Sequence, residues 1–301
     1  MMSRRLCGVL AAEALALLLL IDVMVGREAP TPWTALGACV ALVPLNVFTV
    51  IVAYVAARWY GATSAPAASG GRARAWRCTL GELLALFAAF VVIQPFERWW
   101  MGREAVGRVA PGRVPVLLVH GYLCNRGLWW WLRRRLRARH FAVATVDLEP
   151  PLAGLDELAA RLAERVESVL VETGAAQVVL VTHSMGGLVS RAYLRAHGTS
   201  RVAGMVTLAA PHHGTRLARL GWGRNARELR PGSAWLRSLN AQPVPAIPLR
   251  SVWTPDDEML APPDTARLPG VRETILAGLG HVAMVFSPRV LACLEAELTR
   301  D

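Results

Sequence analysis

Residues Val178–Val189 read VVLVTHSMGGLV. A β-branched, fully apolar run ends at Thr182, His183 and Ser184 follow, and Gly186 and Gly187 open an apolar, helix-compatible stretch. This is a buried strand turning sharply into a helix with a serine at the corner. Such a turn forces unusual backbone angles on the serine, so its neighbours must be small. The paired glycines meet that need. The corner also places Ser184 at a helix N-terminus, where unpaired N–H groups can stabilise a developing oxyanion. Ser184 is therefore the candidate nucleophile. The pattern departs from G-x-S-x-G at one position, where Thr182 replaces the first glycine.

Outward from this turn the texture is alternating. Strand-like stretches cover 114–120, 141–148, 177–182, 202–208 and 247–252, and helix-like stretches cover 128–139, 155–172, 186–197 and 288–298. Strand and helix in alternation predict an α/β fold with a mostly parallel sheet covered by helices. Val116–Asn125, VLLVHGYLCN, is a second strand-to-loop signal, with His120 expected to hold the loop by hydrogen bonds. The backbone N–H groups of Tyr122 and Met185 are the expected oxyanion donors.

These two motifs and Leu208–Thr215, LAAPHHGT, occur in the same order in bacterial lipases and esterases of the α/β-hydrolase fold, which the chain resembles from about 113 to 298. The resemblance implies acyl-ester hydrolysis by a triad in the chain order serine, acid, histidine. The acid should follow a late strand, within Thr254–Pro262, TPDDEMLAP. Alignment with the related stretch selects Asp257, with Asp256 next and Glu258 and Asp264 after it. The histidine should lie in a loop before the last helix, and His281 in LAGLGHV fits. In that reading His281 takes the proton from Ser184, and Asp257 orients the imidazole. No cofactor or metal is implied.

The first hundred residues differ. The chain has 301 residues, 54% hydrophobic and 18% charged, against norms of roughly 45–50% and about 25%. The excess lies in this segment. Apolar runs at 6–25 and 36–57 are long enough for membrane helices, which need about 20 residues. A third, 80–96, contains Glu82 and either crosses or lies at the interface. Arg4 and Arg5 could also begin a signal peptide, but no small-residue cleavage site follows the first run. Two or three transmembrane helices over 1–100, followed by the hydrolase domain over 101–301, are the expected organisation. The positive-inside rule puts the N-terminus in the cytoplasm of a bacterial inner membrane. The hydrolase domain is then periplasmic if the third run crosses, which is the favoured arrangement, and cytoplasmic if it does not.

All 33 basic residues are arginine and the formal net charge is +11. No nucleic-acid motif accompanies this charge, and Arg133, Arg134, Arg135, Arg137 and Arg139 read as the solvated face of one helix. Membrane lipid and an ester or lipid substrate are the expected partners, and no oligomeric state follows. The long connection 215–248 is either a lid over an acyl site or an ordinary helical crossover. Trp129, Trp130 and Trp131 cannot all face a core, so one or two should line the pocket or touch lipid. An acyltransferase or thioesterase using the same triad, and a non-catalytic membrane protein with a hydrolase-like binding domain, are the competing functions.

Overall fold

The computed structural model describes residues 2–25, 51, 52, 54, 55, 59 and 72–299. Six parallel strands form one sheet in the order β2-β1-β3-β4-β5-β6. They are β1 (Val116–Val119), β2 (Val143–Val146), β3 (Val178–His183), β4 (Val202–Leu208), β5 (Leu249–Trp253) and β6 (Arg272–Ile275). The central strands are apolar on both faces because both are covered. Every residue of β1 and β2 is buried, as expected when helices sandwich a parallel sheet.

The N-terminal helices include α1 (Met2–Val25) and α2 (Arg72–Phe87), the latter continuing through a π-helical stretch, Ala88–Ile93, before the short α3 (Glu97–Met101). The remaining helices are α4 (Trp130–Arg137), α5 (Leu155–Thr173), α6 (Met185–His197), α7 (Gly223–Glu228), α8 (Ala234–Asn240) and α9 (Pro288–Leu298). Helices α5, α6 and α8 cover one face of the sheet and contribute Leu158, Leu162, Val189 and Leu236 to its core. Helices α4 and α9 cover the other with Leu132, Leu136, Val290 and Leu294. The apolar positions of α5 fall at Leu155, Leu158, Ala159, Leu162, Val166, Val169 and Leu170, the spacing of one helical face. Gly174, at φ 69°, ends that helix in the left-handed conformation that glycine adopts without strain.

Strand β1 lies between β2 and β3. The chain leaves β1 toward one side of the sheet and returns on the other, so a crevice opens beyond the C-terminal ends of β1 and β3. Ligands of open α/β sheets bind at such switch points.

Several sequence expectations are refined. Strand β6 lies in RETI, whose partly exposed edge pattern hides it. Arg72, Arg74 and Arg77 lie on helix α2. Arg133 is not on a solvated face: it is buried and donates to the Met101 carbonyl at 2.8 Å. None of the three tryptophans lines the cavity described below. Trp129 is fully buried, and Trp130 and Trp131 pack against the same core, Trp130 edge-on to Trp100 at 5.0 Å.

The first apolar run falls within α1, whose 24 residues run from Met2 to Val25. The run 36–57 lies outside the described residues except for 51, 52, 54 and 55. Among the described residues, Ala73–Ile93 is the helix long and apolar enough to cross a membrane, with mean hydropathy 1.8 and 28% of its most apolar stretch buried inside the protein. Its inward face packs against the core through Ala85 and Ala89, while Leu80 and Leu84 are exposed.

Candidate active site

Ser184 stands at the corner between β3 and α6 with φ 54° and ψ −127°. A non-glycine residue is strained there, and the surroundings must hold it. Two hydrogen bonds do so: Ser184 N–H donates to the Leu208 carbonyl at 2.9 Å, and Gly187 N–H donates to the Ser184 carbonyl at 3.0 Å. The start of α6 is pressed against the end of β1. A Cβ on Gly186 would meet the Val119 carbonyl oxygen at 2.5 Å and that of His120 at 2.6 Å. The opposing Gly121 is equally tight, with Ser184 Cβ 2.9 Å from where its own Cβ would be. These close approaches bring the β1 loop up to the serine. Thr182 needs no glycine, because it sits inside β3, paired with Val119 on one side and Thr207 on the other.

Met185 opens α6, where a backbone N–H has no partner within the helix. Tyr122, in the loop after β1, lines a cavity of about 540 Å³ together with Ser184 and His281. The Tyr122 hydroxyl donates to the Trp222 carbonyl at 2.7 Å and accepts from the Trp222 N–H at 2.9 Å. This ties the segment after β4 to the cavity rim. Residues Thr215, Leu217, Leu220 and Trp222 of that segment wall the cavity. Its later part, α8, packs on α6, where Arg191 bonds Asn240 at 2.9 Å.

Asp257 follows β5 and His281 follows β6, so adjacent strands deliver them to each other. His281 Nδ1 and Asp257 Oδ2 are 2.8 Å apart, both side chains almost wholly buried. The other Asp257 oxygen accepts the N–H groups of Met259 and Leu260 at 2.9 Å each. Three N–H groups hold the carboxylate, and Nδ1 of His281 must carry hydrogen, leaving Nε2 without one. Asp256, by contrast, turns away to pair with Arg74 at 2.7 Å. Glu258 is buried beside His281, and Asp264 lies in a separate 3-10 turn, Pro263–Ala266.

Burial alone would depress the His281 imidazole, but the charge and hydrogen bond of Asp257, with a further contribution from Glu82, hold it above the ordinary 6.5. If His281 serves as the general base, it works only when neutral. The acid limb of kcat/KM is therefore expected above pH 6.5, activity being lost as pH falls through it. A pH–rate profile on a soluble ester checks this; a limb well below that value contradicts the assignment.

Two further histidines serve the site, and sequence reasoning caught only one. His120 accepts the Leu148 N–H at Nε2 and donates from Nδ1 to the Gly121 carbonyl, at 3.0 and 2.9 Å, holding the β1 loop. His183 pairs through Nε2 with the His281 carbonyl oxygen at 3.1 Å, so Nε2 bears the proton. Burial, and then the neighbouring His281 charge, push His183 well below the usual imidazole range, keeping it neutral. Its position directly before Ser184 was the available signal.

Residues 114–232 match the family described as alpha/beta hydrolase fold. A triacylglycerol lipase of Burkholderia plantarii is 32% identical over 122 residues, 38% of this chain and 34% of that protein. One of Pseudarthrobacter phenanthrenivorans is 32% identical over 117 residues, 36% of each. The chain thus spans about a third of the length of these curated relatives. Among solved structures, mature Bacillus licheniformis lipase BlEst2 superposes with a TM-score of 0.57 at 19% identity, covering 65% of this chain and 96% of that one. Aspergillus fumigatus lipase B superposes with a TM-score of 0.58 at 17% identity, covering 66% and 55%. Sheet order, the serine turn between β3 and α6, and these superpositions show that the chain has the alpha/beta hydrolase fold.

Proposed function

We propose that this chain is a serine hydrolase that cleaves carboxylic esters of apolar acyl groups through an acyl-enzyme. One observation carries the reading: a strained serine and a histidine hydrogen-bonded to a buried aspartate line the same largely apolar cavity. In the proposed mechanism, His281 Nε2 removes the proton as Ser184 Oγ attacks the ester carbonyl. The tetrahedral oxyanion is held by the N–H groups of Tyr122 and Met185. His281 then protonates the departing alcohol, and a water, activated by the same imidazole, releases the acid. Asp257 stabilises the imidazolium formed in each half.

The cavity favours an acyl chain over a small polar acid, because Leu86, Phe90, Leu217, Leu229 and Leu260 line it. Each buried methylene contributes about 0.8 kcal/mol. Across p-nitrophenyl esters from acetate to decanoate, kcat/KM is therefore expected to rise by at least about tenfold. A flat or falling series would overturn the acyl-cavity assignment. The similarity to triacylglycerol lipases supports a lipid ester as the natural class.

Attachment to a membrane is part of the same proposal. The apolar runs at 6–25 and 36–57 support it, as do the exposed Trp76, Leu80, Leu84 and Trp99 on or near α2. Carbonate extraction of membranes from cells expressing the chain is expected to leave it in the pellet; release into the supernatant would contradict insertion.

A further inference from the structure

Helix α2 reaches the active site from outside the stretch that resembles other hydrolases. Glu82, on that helix, is fully buried. Its two carboxylate oxygens accept the backbone N–H groups of Val282 and Ala283, each at 2.8 Å, across 200 residues of sequence. These are the two residues directly after His281. The adjacent Gly280 lies so close beneath the carboxylate that a Cβ there would collide with it. His281 N–H itself points to Glu258 Oε2 at 3.4 Å. Burial, and then the charges of Glu82 and Asp257, hold the Glu258 carboxyl well above the usual carboxylate range. Glu82 is thus bonded to the turn that carries His281, with its charge felt by Glu258, the residue next to Asp257. Further along the same helix and its π-helical continuation, Leu86 and Phe90 line the cavity.

An isolated buried carboxylate is costly unless its hydrogen bonds are met. Here they are met by the segment that must hold an imidazole in place. A leucine at this position would leave two buried N–H groups unpaired at the catalytic loop.

We propose that Glu82 is a positioning residue for His281: its carboxylate clamps the turn bearing the imidazole, so that hydrolysis requires helix α2 docked on the domain. The proposal rests on the ester-hydrolase reading above. It joins the N-terminal segment to the chemistry itself, beyond any tethering role. Glu82 also acts through charge. The groups facing the His281 imidazole and its turn are Asp257 and Glu258 after β5, His183 at the end of β3, and Glu82 on α2. Removing the negative charge of Glu82 makes the imidazolium less favourable and lowers the pH at which His281 gives up its proton.

The test uses the full chain in detergent with p-nitrophenyl butyrate as a soluble ester. Glu82→Gln is expected to lower kcat by about 10- to 100-fold, because Gln offers an N–H where an acceptor is needed and the turn shifts. KM stays within about twofold, since the substrate-binding surface is untouched. Read in a Glu258→Gln background, so that no neighbouring carboxyl ionises in its place, the acid limb of kcat/KM moves to lower pH, which a purely structural brace would not cause. Glu82→Asp keeps the charge on a shorter arm: kcat falls about threefold or more while the acid limb stays at the wild-type position. Folded Glu82→Gln with wild-type kcat and an unmoved limb would overturn the proposal. If Glu82→Gln does not fold, wild-type kcat in Glu82→Asp would do the same. Wild type without ester hydrolysis would overturn the ester-hydrolase reading and this proposal with it.

Discussion

Asp257→Asn is expected to lower kcat by about 10⁴-fold with the fold intact. The physical reason lies in the hydrogen-bond inventory. Asp257 accepts three N–H groups, two from the backbone of Met259 and Leu260 and one from His281 Nδ1. An amide in this position has one accepting oxygen. If that oxygen serves the backbone, its NH₂ faces Nδ1, and the imidazole must turn its hydrogen to Nε2, where the base is required. The same change removes the main charge that raises His281. The residual acid limb should therefore move to lower pH. Asp256→Asn is the informative companion, since it is the nearest sequence alternative. Its carboxylate pairs with Arg74 and accepts the Gly278 N–H, so its loss should cost stability and at most about tenfold in rate. Steady-state kinetics with thermal melts on both variants separates the two aspartates, and a reversed order would refute the assignment.

Gly186→Ala is expected to cost both stability and activity heavily. The added Cβ would lie 2.5 and 2.6 Å from two backbone carbonyl oxygens of the β1 end. Backbone atoms cannot swing aside as a side chain can, so either α6 or the β1 loop must move. Overpacking of this kind costs about 3 kcal/mol, and Tm should fall by on the order of 10 °C. Whichever element moves, the gap between Ser184 and the Tyr122 loop opens, so activity should fall beyond what unfolding explains. Differential scanning calorimetry together with esterase assays well below the melting point would show both effects. Gly198→Ala offers a contrast, because nothing lies within 4 Å of its Cβ position and only its φ of 74° resists substitution.

The parallel sheet and the serine turn were legible because each rests on local chemistry. A β-branched run followed by small residues at a corner has few other uses, and α5 announces itself through helical spacing of its leucines and valines. The choice of Asp257 over Asp256 rested on resemblance alone; in the structure both carboxylates reach the loop after β6, and Asp257 is the one bonded to the His281 imidazole. Strand β6 was hidden because an edge strand with a partly exposed face carries no apolar run. The role of Glu82 was beyond sequence reading. In the chain it is an acid interrupting an apolar stretch, which reads as a weakened membrane segment. Its partners lie 200 residues away and offer only backbone N–H groups, which leave no trace in side-chain identity. Arg133 was misjudged for a similar reason, since its partner is a carbonyl, that of Met101.

The most direct test of the central claim is covalent labelling of the purified full chain in detergent by a fluorophosphonate, with the modified peptide identified by mass spectrometry. Stoichiometric modification at Ser184 is expected in wild type, none in Ser184→Ala, and strongly slowed labelling in His281→Ala. Folded wild type that stays unlabelled, or a label on another serine, would contradict it.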